Sequence, residues 1–65
     1  MENHFAENLK ILRSEKGVGQ IELANAIKVS KGIISLWENE KREPTLSSLI
    51  AISQFFDITI DELIK

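Results

Sequence analysis

The sequence predicts an all-α fold, a compact domain of five short helices, and three observations carry that reading. Apolar residues recur at spacings of three and four along the whole chain, the period of helices that bury one face. Capping signals stand between these stripes, and the connections are roughly two to five residues long, as in compact helical domains. The chain has 65 residues, 43% of them hydrophobic and none of them Cys, so its core must form from apolar packing alone. A chain of this length is one domain, here residues 1–65, and buries only about 60% of the surface its unfolded form exposes. No disulfide or thiolate metal site is available to reinforce it.

Each element can be justified in turn. Phe5, Leu9 and Leu12 form the stripe of the first helix. Lys16-Gly17 ends it, with a cation in the last turn and a glycine free to take the left-handed cap. Gly19 is an acceptable N-cap for the second helix, a few tenths of a kcal/mol poorer than Ser or Thr. That helix starts at Gln20 and turns Leu23, Ala24 and Ile27 inward. Ser30 is a better cap for a third helix, running to about Asn39 with Ile34 and Trp37 inward. Lys28-Val29 is therefore a turn. Two short helices joined so tightly cannot lie antiparallel; they cross steeply, with Val29 at the corner, as a helix-turn-helix. Thr45 after Pro44 caps a fourth helix, with Leu46, Leu49, Ile52 and Phe56 on one face. Thr59 to Glu62 spells T-x-x-E, a capping box for a short fifth helix that turns Leu63 inward.

Several functions find no support in these residues. The single His4 lies near a terminus, and no nucleophile, base and oxyanion donor can be gathered around it, so the protein is read as non-enzymatic. Gly17-Val18-Gly19 lacks the preceding strand and the G-K-[ST] of a phosphate loop. Trp37 could be a platform for stacked bases, but its helical spacing from Ile34 marks it as core. No cofactor and no metal are expected. Without an apolar run of about 18 residues or signal-peptide features in "MENHFAENLK", a soluble cytoplasmic protein with no membrane contact is expected.

Charge is distributed unevenly. The net charge is −2. Residues 28–42 nevertheless carry Lys28, Lys31, Lys41 and Arg42 against Glu38 and Glu40, a net +2, whereas residues 43–65 carry a net −3. One sector is basic in an acidic molecule, and it coincides with the third helix.

The ordered motifs "LR" (Leu12-Arg13), "Q-x-x-LA" (Gln20 to Ala24), "VS-x-x-x-IS-x-WEN" (Val29 to Asn39), "P-T-L-x-x-L" (Pro44 to Leu49) and "I-D-E-L" (Ile60 to Leu63) resemble a known family. From about Phe5 to Ile64 the chain is similar to the Cro/cI-type (Xre-like) helix-turn-helix DNA-binding domains, a lambda-repressor-like fold. Gly19 stands where the family usually has Thr or Ser, and Lys28 and Glu40 stand where it usually has Gly. The last two positions favour left-handed backbone, at roughly 1 kcal/mol for a residue with a side chain.

The resemblance implies sequence-specific binding of double-stranded DNA by a transcriptional regulator, as a repressor, with the third helix in the major groove. Its outward residues Lys31, Gly32, Ile33, Ser35 and Leu36 are the candidates for base contact. Lys31 could donate to guanine, Ser35 could serve either base type, and Ile33 and Leu36 could pack on thymine methyl groups. Gly32 would let the helix approach closely. Gln20 is the family's phosphate ligand, and Ser30, Asn39, Lys41, Arg42 and Thr45 are further phosphate candidates. The family pairs the positions of Arg13 and Glu38 as a structural ion pair. A homodimer is expected, because one helix reads few base pairs and two-fold operators match two-fold proteins. Ile50, Phe55, Ile58 and Ile64 are its candidate interface. Two other readings of Ile33 and Leu36 stay open: ordinary exposed aliphatics, or the grip of a protein-interaction module such as an antitoxin-like or anti-regulator domain.

Overall fold

A computed structural model describes residues 3–65 as five α-helices: α1 (Phe5–Lys16), α2 (Gln20–Ile27), α3 (Lys31–Glu38), α4 (Leu46–Phe56) and α5 (Ile60–Ile64). The helix starts follow the expected caps. Ser30, Thr45 and Thr59 accept the backbone N–H groups of Ile33, Ser48 and Glu62, and Glu62 completes a capping box back to Thr59. Gly19 starts α2 in extended backbone without a side-chain cap.

The helix ends share one device. Gly17, Lys28, Glu40 and Asp57 all adopt left-handed backbone, with φ of 66°, 61°, 58° and 55°. The next residue in each case, Val18, Val29, Lys41 or Ile58, donates its N–H to the carbonyl five residues back, at 2.9–3.0 Å. This is a Schellman closure, in which an apolar residue after the left-handed position seals the helix end against the core. Val18, Val29 and Ile58 do so, each packed on the core cluster. Lys41 is the exception, and it leads the chain out along the basic sector. Asp57 joins Lys28 and Glu40 as a left-handed position held by a residue other than glycine.

The core joins all five helices through Phe5, Leu9, Leu23, Ala24, Ile34, Trp37, Ile52, Phe56 and Leu63. Phe5 meets Trp37 edge-on at 6.0 Å between ring centroids, a favoured aromatic geometry. α2 packs on α3 and α4, α1 on α3 and α5, and α4 on α5. The short α5 is held from α1: Asn8 Nδ2 donates to the Leu63 carbonyl at 2.9 Å, and the His4 N–H donates to that of Ile64 at 2.9 Å.

The expected stripe of α4 needs correction. Leu49, Ile52 and Phe56 face the core, but Leu46 is 68% exposed. Steps of three residues turn back by roughly 60° each, so Leu46 points about 120° from Ile52. Two expected interface residues are also drawn inward. Ile58 and Ile64 are half-buried against the core, whereas Ile50 and Phe55 remain exposed. None of the described helices is long and apolar enough to cross a membrane.

Candidate nucleic-acid interface

The candidate surface is the outer face of α3 and the segments on either side of it. Ile34 and Trp37 anchor α3 in the core with 0% and 2% exposure, which fixes which residues face out. Lys31, Gly32 and Leu36 are exposed. Ile33 and Ser35 are only half-buried, and Ile33 packs against the core, so it is less available than the sequence suggested. The helical wheel explains the difference: Ile33 points about 40° from Trp37, but Leu36 about 100° away. A side chain added at Gly32 would meet nothing closer than Ser30 Oγ at 3.8 Å. The outer face at Gly32 is therefore a smooth patch of backbone between Lys31 and Leu36.

Donors and cations frame this face. Ser30 Oγ accepts the Ile33 N–H at 3.2 Å, an arrangement that leaves its own hydroxyl proton to donate elsewhere. Past the end of α3, Asn39 Nδ2 donates to the Ser35 carbonyl at 2.8 Å and to Ser35 Oγ at 3.3 Å. Asn39 and Ser35 thus form a coupled pair, a link the sequence did not reveal. Lys41 and Arg42 follow, both exposed. Thr45 holds the start of α4 by accepting from Ser48 N–H at 3.1 Å and donating to Ser48 Oγ at 3.0 Å.

Behind the face lies the ion pair. Glu38 is only 5% exposed. Arg13 Nε donates to its Oε2 at 2.6 Å and Arg13 Nη2 to its Oε1 at 2.9 Å, a two-pronged contact of the kind that guanidinium and carboxylate favour. Arg13 Nη1 also holds the Val18 carbonyl at 3.0 Å. One arginine therefore ties the end of α1, the following turn and the end of α3. The hydrogen bond to Glu38 raises the pKa of Arg13 above its ordinary value, aided by the carboxylate's charge and opposed by desolvation. A third donor completes the carboxylate: Gln20 Nε2 reaches Glu38 Oε1 at 2.9 Å. The expected phosphate ligand at the start of α2 is thereby attached to the ion pair. Nothing in the spacing of residues 20 and 38 signals that contact. Among the described residues, no buried side-chain nitrogen or oxygen lacks a partner.

Comparison with known proteins agrees with this architecture. The transcriptional activator BcrR of Enterococcus faecalis is 47% identical over 61 residues, which are 94% of this chain and 30% of that protein. The cryptic phage CTXphi transcriptional repressor RstR of Vibrio cholerae is 30% identical over 61 residues, 94% of this chain and 55% of that protein. The chain thus spans between about a third and just over half of these curated relatives. The crystal structure of the P22 c2 repressor in complex with a synthetic operator superimposes with a TM-score of 0.87 at 30% identity, covering 94% of this chain and 92% of that one. The helix-turn-helix family matches residues 9–63. With its five helices, the tight turn that joins α2 to α3 and its Arg13–Glu38 pair, the chain belongs to the helix-turn-helix family of the Cro/cI type.

Proposed function

We propose that this domain binds double-stranded DNA sequence-specifically, with α3 in the major groove, as the reading head of a homodimeric transcriptional regulator. The observation that carries the reading is the outward face of α3. Lys31, Gly32 and Leu36 are exposed on a helix locked by Ile34 and Trp37. Lys31 supplies a donor for guanine O6 and N7, Leu36 an apolar contact for a thymine methyl, and Gly32 room for close approach. Ser35 adds a hydroxyl already engaged by Asn39. Gln20, Ser30, Asn39, Lys41, Arg42 and Thr45 surround this face with the donors and charges that fix register on phosphates. A dimer seated on a promoter blocks it by occupancy alone, so repression is the action this unit can perform unaided.

A binding-site selection on random duplexes at stated salt tests the proposal. It should return a two-fold sequence whose half-sites lie about one helical turn apart, roughly 34–36 Å. One observation favours a second reading. Leu36 is 39% exposed on a helix with few polar side chains, which also suits a protein partner. Failure of the protein to bind any duplex at low salt would make that partner the better assignment.

A further inference from the structure

We propose that Glu38 is a positioning residue for DNA binding, orienting the Gln20 amide so that an N–H rather than the carbonyl faces the phosphate. The proposal rests on the phosphate role of Gln20 and explains how that role is enforced. A glutamine amide has a donor end and an acceptor end of nearly equal shape, so its orientation is decided by its neighbours. Here the neighbour is a carboxylate that can only accept. Gln20 Nε2 donates to Glu38 Oε1 at 2.9 Å. Turning the amide over would set its carbonyl oxygen against Glu38 at the same spacing, oxygen facing oxygen, in a partly buried site where such repulsion is less screened than in water. Glu38 itself cannot turn away, because Arg13 holds both of its oxygens.

Gln20 Nε2 therefore keeps one proton for Glu38 and has a second to offer. Gln20 is half-buried at the first position of α2, beside the open start of that helix at Gly19. A phosphate oxygen repels a carbonyl and accepts an N–H, so the sense of the amide decides whether the contact attracts or repels. The partly buried pair Arg13–Glu38 thus does two jobs. It ties α1 to α3, and it sets the polarity of a ligand residue on α2.

The test is a coupling measurement in DNA binding, on variants first shown by circular dichroism to be folded. The probe is a mixed-sequence duplex at low ionic strength, since a phosphate contact is indifferent to sequence. In the natural background Gln20→Ala should weaken binding about tenfold, as expected for a hydrogen bond to a charged group. In an Arg13→Met/Glu38→Leu background, where the orienting carboxylate is replaced without leaving a lone charge, the same Gln20→Ala change should cost less than about threefold. Equal losses in both backgrounds would overturn the positioning role and leave DNA binding intact. No loss in the natural background would remove the Gln20 contact and this proposal with it. Absence of duplex binding by the unmutated protein would instead overturn the DNA reading itself. A second measurement needs no variant that could unfold. In proton–nitrogen NMR of the unmutated protein, one Gln20 side-chain amide proton should stay in place when duplex is added while the other shifts. Equal shifts of both, showing that the amide leaves Glu38, would contradict the proposal.

Discussion

Lys28 holds a backbone conformation that glycine would hold at less cost. Its φ of 61° closes α2, and its β-carbon pays the left-handed penalty. Lys28→Gly should raise stability by about 0.5–1 kcal/mol, the relief of strain exceeding the extra entropy of the unfolded glycine. Urea denaturation would show it as a higher midpoint with unchanged slope; a lower midpoint would mean that the lysine side chain makes a contact of greater worth. Residues on the proposed groove face should fail in distinguishable ways. Lys31→Ala should cost about 1–3 kcal/mol and relax preference at one base pair of each half-site. Arg42→Ala should weaken binding to all sequences alike and flatten the salt dependence by about one unit per subunit. Leu36→Ala should chiefly lose discrimination of thymine from cytosine. A matrix of these variants against operator variants at several salt concentrations checks all three. Parallel losses without a base-position signature would remove the groove reading.

At the scale of the element, the same apolar spacing had different outcomes on different helices. Trp37 and Leu46 both stood on expected inward faces, yet one is 2% exposed and the other 68%. Trp37→Ala should cost about 3–5 kcal/mol, a loss comparable to the whole stability of a domain this small. Leu46→Ala should stay within about 0.5 kcal/mol. Thermal melts of the two variants separate these outcomes. A Trp37→Ala protein that keeps its fold and loses only DNA affinity would make Trp37 a contact residue after all. The helix ends show why short helices suffice here. Each of the first four closes on a left-handed residue, and three of the four then bury an apolar side chain, so termination itself adds to the core.

Across the whole molecule, charge is spread unevenly along the chain. The cations Lys28, Lys31, Lys41 and Arg42 cluster in sequence around α3, while Asp57, Asp61 and Glu62 belong to the closing segments of the chain. The self-association surface is expected on α4, outside the basic stretch, where Ile50 and Phe55 are 41% and 38% exposed. We expect a weak homodimer tightened by DNA, with mass rising with concentration in sedimentation. Phe55→Glu should abolish that rise and reduce the preference for a palindrome over a lone half-site. A strict monomer that binds both equally well would refute the dimer. The raised Arg13 pKa should add no pH dependence to stability in the neutral range. A raised Arg13 pKa contributes stability in full below the unfolded value and loses it only as strongly alkaline pH passes the folded one.

Helix number, caps, the α2–α3 corner and the inward residues Ile34, Trp37, Ile52 and Leu63 were all legible in the sequence. They are set by spacing and by backbone preferences that act within a few residues. The left-handed sites at Lys28 and Glu40 were legible only through the family resemblance, in which those positions usually hold Gly, and Asp57 carried no such signal. Contacts between distant residues were not legible. The wheel itself turns Leu46 about 120° from Ile52, but periodicity cannot say how far along its helix the neighbouring helices reach, which is what draws Ile58 and Ile64 partly inward. Nor does any local rule link Gln20 to Glu38, or Asn8 to the end of α5. Those bonds exist because helix packing brings donors and acceptors remote in the chain within 3 Å of one another. Buried polar groups must find partners wherever packing leaves them, and only the tertiary structure decides which partners those are.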